Sequence, residues 1–153
     1  AHIPVRGATA VGEFEVQGNI FVGRAIDEAA SWHEAGDWIG VHLTPSAMFA
    51  LEANTSNWSD YEPPLKNGTK HKTPCVDWVT VWAKAVAGQC PKQQLQSAFR
   101  DMGPITPDFA MKFMNTLTYF DELVKRKEGE RHHARETKSE GDTVSDLHIS
   151  PSE

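Results

Sequence analysis

The order of apolar and polar residues predicts a strand and a hairpin at the start of the chain. Small and branched side chains over residues 5–16 are typical of a strand, and Gly12 predicts a bend within it. The turn signal at 17–19, followed by the apolar run 20–22, predicts a β-hairpin. Residues 38–43 predict the next strand, with Gly40 as a point of close approach.

Between these strands the sequence predicts a helix over residues 24–35. Gly23 lets the chain turn into this helix, and Gly36 ends it. Four residues recur at helical spacing and predict its buried stripe: Ile26, Ala29, Ala30 and His33.

The rest of the chain continues this alternation. Thr44-Pro45, Pro91 and Thr106-Pro107 are typical helix starts. Residues 54–73 predict a long polar loop, and the branched and aromatic content of 75–82 predicts a strand. Residues 128–153 are charged and contain few apolar side chains, which predicts a disordered tail.

These elements predict an α/β (α+β) fold, in which a mainly antiparallel sheet is covered by helices. We expect one domain over residues 1–127 and the charged tail over 128–153. The chain enters a strand within five residues of Ala1 and has no initiating Met, so we expect it to be the C-terminal part of something longer.

Composition narrows the class of protein. The net charge of −6, from 15 basic and 21 acidic side chains, argues against general nucleic-acid binding, because an acidic chain repels phosphate backbones. The two cysteines, Cys75 and Cys90, form no metal or redox spacing and predict reduced thiols. No apolar run is long enough to span a bilayer, and no signal peptide is visible. We therefore expect a cytoplasmic protein that does not associate with a membrane.

Few residues are candidates for catalysis, ligand binding or metal binding. Asp27 and Ser31 share one face of the first helix, and this face is either a solvated surface or a binding surface. Arg6 either pairs with a carboxylate, which we favour, or reaches a phosphate. His132 and His133 are adjacent and cannot face one metal ion from a regular helix, so no metal ligand is predicted.

The segment 6–43 resembles the second half of the class III nucleotidyl cyclase catalytic domain. The motifs are Arg6-Gly7-Ala8 on a strand, Gly23-Arg24-Ala25-Ile26-Asp27-Glu28-Ala29 on a helix, and a short apolar strand after them. Later blocks, at 63–66, 76–78 and 112–120, resemble bacterial cyclase-like proteins that include the pyrimidine cyclases of anti-phage signalling. The resemblance covers residues 4–124.

This resemblance implies part of a cyclase-like palm domain that converts a nucleoside triphosphate into a cyclic nucleotide and pyrophosphate. It places Gly23 and Asp27 at the nucleotide and gives Asp27 the catalytic contact to ribose or base. It implies Mg²⁺ or Mn²⁺ in the intact parent, held by two aspartates that this chain lacks, so the fragment alone is expected to bind no metal and to be inactive. It also implies a homodimer or pairing with a missing N-terminal half.

Two alternatives remain. Ser31 stands where the family has an Arg, which favours a degenerate cyclase homology domain with a regulatory or protein-interaction role. The other alternative is an unrelated small α/β domain whose similarity to cyclases is coincidental.

Overall fold

The computed structural model describes residues 5–51 and 57–142 of the chain. The chain divides into two compact units, residues 1–120 and residues 121–153. The strands and helices follow one another in this order: β1 (Gly7–Thr9), β2 (Glu15–Gln17), β3 (Ile20–Val22), α1 (Arg24–Ala35), β4 (Val41–Leu43), α2 (Pro45–Ala50), β5 (Trp58–Tyr61), β6 (Thr73–Val76), α3 (Trp78–Ala85), α4 (Pro91–Asp101) and α5 (Pro107–Asp142).

A four-stranded mixed sheet lies at the centre of the first unit, in the order β1-β4-β6-β5. β1 and β4 are parallel, with Ala8 opposite His42, whereas β6 runs antiparallel to both β4 and β5. β2 and β3 form a separate antiparallel hairpin. The predicted mixture of helices and strands, with antiparallel pairing dominant, is therefore confirmed.

Aromatic rings fill the core of the first unit. Trp38 is 1% exposed, and its ring centroid lies 5.0 Å from that of Tyr119 and 5.5 Å from that of Tyr61. The Tyr119 hydroxyl donates to the Val76 carbonyl over 3.0 Å, which links α5 to β6. Gly40 allows this packing, because a Cβ there would lie 2.3 Å from the Trp38 ring. The close approach predicted at Gly40 is confirmed.

Thiol and imidazole groups occupy neighbouring strands of the sheet. Cys75 on β6 is fully buried opposite His42 on β4. Burial raises the pKa of the Cys75 thiol to about 12, and the Asp60 carboxylate adds to the shift. Both cysteines are free, as the sequence predicts, and Cys90 is exposed.

Helix α1 begins and ends as predicted, but its buried face is rotated. Ala25 is the buried residue, while Ala30 is exposed. The reason is the fit to β1: a Cβ built at Gly12 would lie 3.5 Å from Ala25 Cβ, so this side of the helix contacts the chain after β1. The predicted stripe is wrong at Ala30, whereas Ile26, Ala29 and His33 are half-buried.

The strand predicted over residues 75–82 is present only at 75–76, and the prediction is wrong for 78–82, which are helical. β6 ends at Val76 and α3 begins at once, because Asp77 caps the helix. The Asp77 carboxylate accepts hydrogen bonds from the Thr80 backbone N–H at 3.1 Å and from the Thr80 hydroxyl at 2.9 Å. Such a cap outweighs the strand preference of the Val and Trp residues that follow.

Two further stretches differ from the prediction. The polar loop expected over 54–73 contains strand β5, which pairs with β6 along four residues. Helix α5 continues to Asp142, through residues 128–142 that were predicted to be disordered. Glu, Lys, Arg and Ala dominate this stretch, and their helix propensity favours a helix without buried apolar surface. Residues 143–153 lie outside the described part of the chain, and the domain boundary at 127 stays a prediction.

Candidate functional site

Gly23 sets the position of α1. Its φ is 146° and its ψ is 169°, a conformation that is essentially restricted to glycine. A Cβ there would lie 2.6 Å from the Glu13 carbonyl oxygen and 2.7 Å from Phe14 Cα. The Gly23 carbonyl also accepts the first helical hydrogen bonds, from the N–H groups of Ile26 and Asp27 at 3.0 Å each. The helix can therefore begin this close to the hairpin only because residue 23 has no side chain.

Asp27 and Ser31 lie one turn apart on α1, and both are exposed, as the sequence predicts. The Ser31 hydroxyl donates a 2.8 Å hydrogen bond to the Asp27 carbonyl oxygen. This hydroxyl therefore serves the backbone of its own helix. The Asp27 carboxylate stands on the exposed side of the helix as an acceptor.

An open crevice of about 500 Å³ lies between α1 and the end of β1. Mostly small side chains line it: Ala8, Thr9, Ala10, Val11, Gly12, Phe14, Ala25, Ile26 and Ala29. Asp27 directly follows one of these lining residues along the helix. Small side chains leave the backbone of β1 open to close approach by a ligand.

Hydrogen bonds at Glu28 link α1 to the start of α2. Glu28 Oε1 accepts from the Ser46 N–H at 3.2 Å, and the Ser46 hydroxyl accepts from the Val11 N–H at 2.9 Å. The hydrogen bond from the Thr44 side chain, helped by those from Ser46, lowers the pKa of Glu28, although partial burial opposes the shift. Glu28 is therefore ionised, and its hydrogen bonds hold in place the helix that carries Asp27.

Arg6 is engaged by a histidine. Its guanidinium donates to His33 Nε2 over 3.1 Å, and among the described residues no carboxylate is its partner, so the favoured carboxylate pair is wrong. The contact to a phosphate stays a prediction. The hydrogen bond to His33 adds a second link between α1 and the beginning of β1.

A group of rings lies under α1 that the sequence does not predict. Trp32 contacts His42 edge-on, with centroids 5.9 Å apart, and lies 4.9 Å from His71. Burial lowers the pKa of His42 to about 4, and the nearby His71 and His33 add to the shift. Within the described part of the chain, neither ring nitrogen of His42 has a hydrogen-bond partner. His42 is thus a neutral core residue at physiological pH; its position in the middle of an apolar strand is the only sequence signal for this.

A second concavity, of about 580 Å³, lies between the sheet and helices α3 and α4. Trp78, Trp82, Leu95, Phe99 and Met102 contribute most of its apolar wall. Asn57 and Trp78 supply N–H donors to this wall, and among the described residues no cationic side chain lines it. The candidate nucleotide site is described at α1 because the sequence prediction names Gly23 and Asp27 there.

Metal ligands are a separate question. Across residues 5–51 and 57–142, no three His, Cys, Asp or Glu side chains converge on a possible metal position. The described residues therefore do not fit the two-metal site that the cyclase resemblance implies, and no chemistry of a metal is assigned to them.

Searches against protein-family models, curated proteins and solved structures find no match for this chain. Among the described residues, no helix is both long and apolar enough to cross a membrane.

Proposed function

We propose that this chain is part of a nucleotidyl cyclase-like domain and that α1 presents Asp27 to a nucleoside triphosphate. One observation carries the proposal: Gly23 seats the start of α1 against residues 13–14, and Asp27 is exposed on this helix, one residue after Ile26, which lines the crevice. The same unit of strand, hairpin, helix and parallel return strand is the one on which the resemblance to class III cyclases rests. The reaction would convert the triphosphate into a cyclic monophosphate and pyrophosphate.

Chemistry decides which end of the nucleotide Asp27 contacts. A carboxylate beside a triphosphate would be repelled, whereas it readily accepts hydrogen bonds from a ribose hydroxyl or an amino group of the base. We therefore assign Asp27 to the nucleoside end. Gly23 contributes by allowing the helix to approach, and it need not touch the ligand.

Stabilisation of the transferring phosphate has to come from elsewhere in this proposal. The Ser31 hydroxyl is bonded to the helix backbone, and the described residues present no metal cluster. Phosphoryl transfer depends mainly on cations at the developing charge. The proposal therefore assigns these cations to residues outside the described ones or to a second chain.

The Ser31 contact also supports a second candidate, a cyclase homology domain that binds a nucleotide or a protein without turnover. The Ser31 hydroxyl donates to its own helix and carries no positive charge, unlike the arginine that the family has at this position. The two candidates differ in whether a cyclic product forms.

The deciding experiment is a cyclisation assay on the longest natural protein that contains this chain. The protein is incubated with Mn²⁺ and each of ATP, GTP, CTP and UTP, and products are identified by mass spectrometry. A cyclic monophosphate from one nucleotide would support the enzyme and would identify the base.

Variants at α1 then test the assigned role. We expect Asp27→Ala to abolish the product, whereas Asp27→Asn keeps a hydrogen-bond acceptor and retains part of the activity. Ser31→Ala should leave turnover unchanged. Asp101→Asn, an exposed acidic position on α4, is the matched control. A folded protein that yields no product from any of the four nucleotides would favour the binding module, and an unaffected Asp27→Ala variant would remove Asp27 from the site.

A further inference from the structure

The second concavity, between the sheet and helices α3 and α4, has the size of a site for a small organic molecule. Its volume is about 580 Å³, within the range of roughly 300–1,000 Å³ that is usual for ligand pockets. Protein interiors are closely packed and leave few voids larger than a water molecule. The chemistry of the wall therefore decides whether water or a ligand is the better occupant.

Aromatic and aliphatic side chains form most of the wall, and two of its polar side chains are already bonded to the protein. The Trp82 indole N–H donates to the Pro91 carbonyl at 2.9 Å, which also fixes the ring. The Thr116 hydroxyl donates to the Lys112 carbonyl at 2.6 Å and accepts from the Ile39 N–H at 2.8 Å. Such a wall offers water few hydrogen bonds, so an apolar molecule can displace that water favourably.

The apolar wall extends from the core to the surface. Leu95 and Phe99 are 7% and 4% exposed, whereas Val5, Val81 and Met102 are each between 52% and 67% exposed, and all five line the concavity. A ligand bound there would cover the three exposed side chains. Removal of this apolar surface from water is the main favourable term for binding of this kind.

Charge determines which molecules fit. Among the described residues that line the concavity, Asp77 is the only one with a charged side chain. It lies beside Asn57, whose carbonyl accepts from the Asp77 N–H at 2.9 Å, so the polar groups gather at one end. A negatively charged ligand would be repelled by the Asp77 carboxylate and would lose hydration without gaining a cation.

We propose that this concavity binds a mainly apolar small molecule that carries no negative charge. The rings of Trp78, Trp82 and Phe99 offer flat surfaces against which an aromatic ligand can pack. The candidate site at α1 is assigned to a polyanion, so binding in the concavity is a separate property and does not depend on the proposed cyclase chemistry.

Two fluorescent probes with the same aromatic body test the proposal. N-phenyl-1-naphthylamine is uncharged, and 8-anilino-1-naphthalenesulfonate is the same molecule with a sulfonate group added. Each probe is titrated into the full chain, and its emission is followed under tryptophan excitation. We expect one uncharged probe per chain with a Kd on the order of 10 μM, and binding of the sulfonate roughly tenfold weaker. Sulfonate binding as tight as that of the uncharged probe would overturn the proposal.

Substitutions then locate the bound probe. Ala98 lines the concavity and is half-buried, so Ala98→Phe places a ring in the space and should weaken binding of the uncharged probe at least roughly tenfold. Gln96→Phe, at an exposed position of the same helix outside the wall, is the matched control and should not weaken it. Phe21→Ser removes an exposed ring from the β2–β3 hairpin and should also have no effect. Unchanged binding to a folded Ala98→Phe variant, or loss of binding in Phe21→Ser, would place the probe elsewhere and refute the assignment.

A charge variant covers the case in which Ala98→Phe does not fold. Asp77→Asn keeps an acceptor for the Thr80 N–H at the start of α3 and removes the negative charge. We expect the sulfonate probe to bind this variant roughly fivefold more tightly, with little change for the uncharged probe. Asp101→Asn, at an exposed position of α4 outside the wall, changes the net charge equally and should leave both affinities unchanged. Equal gains in the two variants, or no gain in Asp77→Asn, would contradict binding beside Asp77.

Discussion

Replacing Gly23 by alanine tests the geometry on which the candidate site depends. The backbone conformation at Gly23 costs an L-residue about 1–3 kcal/mol. The new Cβ would also lie 2.6 Å from a carbonyl oxygen and 2.7 Å from a Cα, both backbone atoms that cannot rotate away. Overpacking of this kind costs about a further 1–3 kcal/mol. We expect a total loss of about 2–6 kcal/mol, a large share of the roughly 5–15 kcal/mol that stabilises a typical domain.

Gly18→Ala is the matched control for this prediction. Gly18 has a φ of 61°, but a Cβ there would meet nothing within 4 Å. Its replacement should cost only the left-handed backbone term, about 1–2 kcal/mol. Urea unfolding followed by Trp fluorescence gives both values, and the difference between them isolates the collision at Gly23. If Gly23→Ala costs no more than Gly18→Ala, the close seating of α1 against residues 13–14 is refuted.

Three further predictions concern other parts of the chain. Because the pKa of His42 falls from 6.5 to about 4 on folding, the unfolded state takes up the proton first, so stability should decline by about 3 kcal/mol as the pH falls from 7 to 4. In urea titrations at several pH values, His42→Phe should lose that part of the pH dependence; an unchanged slope would exclude His42 as its source. Tyr119→Phe should cost about 1 kcal/mol by chemical unfolding, since it leaves the Val76 carbonyl without its donor, and a neutral result would contradict that hydrogen bond. Gly129→Ala, on the exposed helix with nothing within 4 Å of the new Cβ, should raise helix content in circular dichroism by favouring α5 by about 1 kcal/mol; lower helicity would argue against a helix there.

Local signals in the sequence were sufficient for the elements around the candidate site. The glycine entry at Gly23 and the stop at Gly36 predicted α1 with the bounds that the structure has, and residues 20–22 predicted β3. The strand predicted over 5–16 is instead divided into β1 and β2, and β2 ends at Gln17, inside the predicted turn. Gly18 in the turn and Gly23 before α1 have positive φ angles that favour glycine, so a glycine in the sequence marks both points. The exposure of Asp27 and Ser31 followed from helical periodicity.

Features that depend on tertiary contacts were not predictable in the same way. Residues 78–82 have strand-like composition, yet a single cap at Asp77 turns them into a helix. β5 is a strand because β6 pairs with it, and its own sequence resembles a loop. The contact of Trp32 with His42 and His71 joins residues from different elements, so no local sequence pattern predicts it.

The buried thiol opposite His42 gives the protein an internal reporter of opening. A thiol-specific reagent attacks the thiolate, and Cys75 is both inaccessible and held protonated by its raised pKa. Exposed Cys90 should react at once, whereas Cys75 can react only during the moments in which the central sheet separates. The rate of the slow labelling phase therefore reports how often the sheet opens. A nucleotide or a second copy that keeps the sheet closed would make this phase slower.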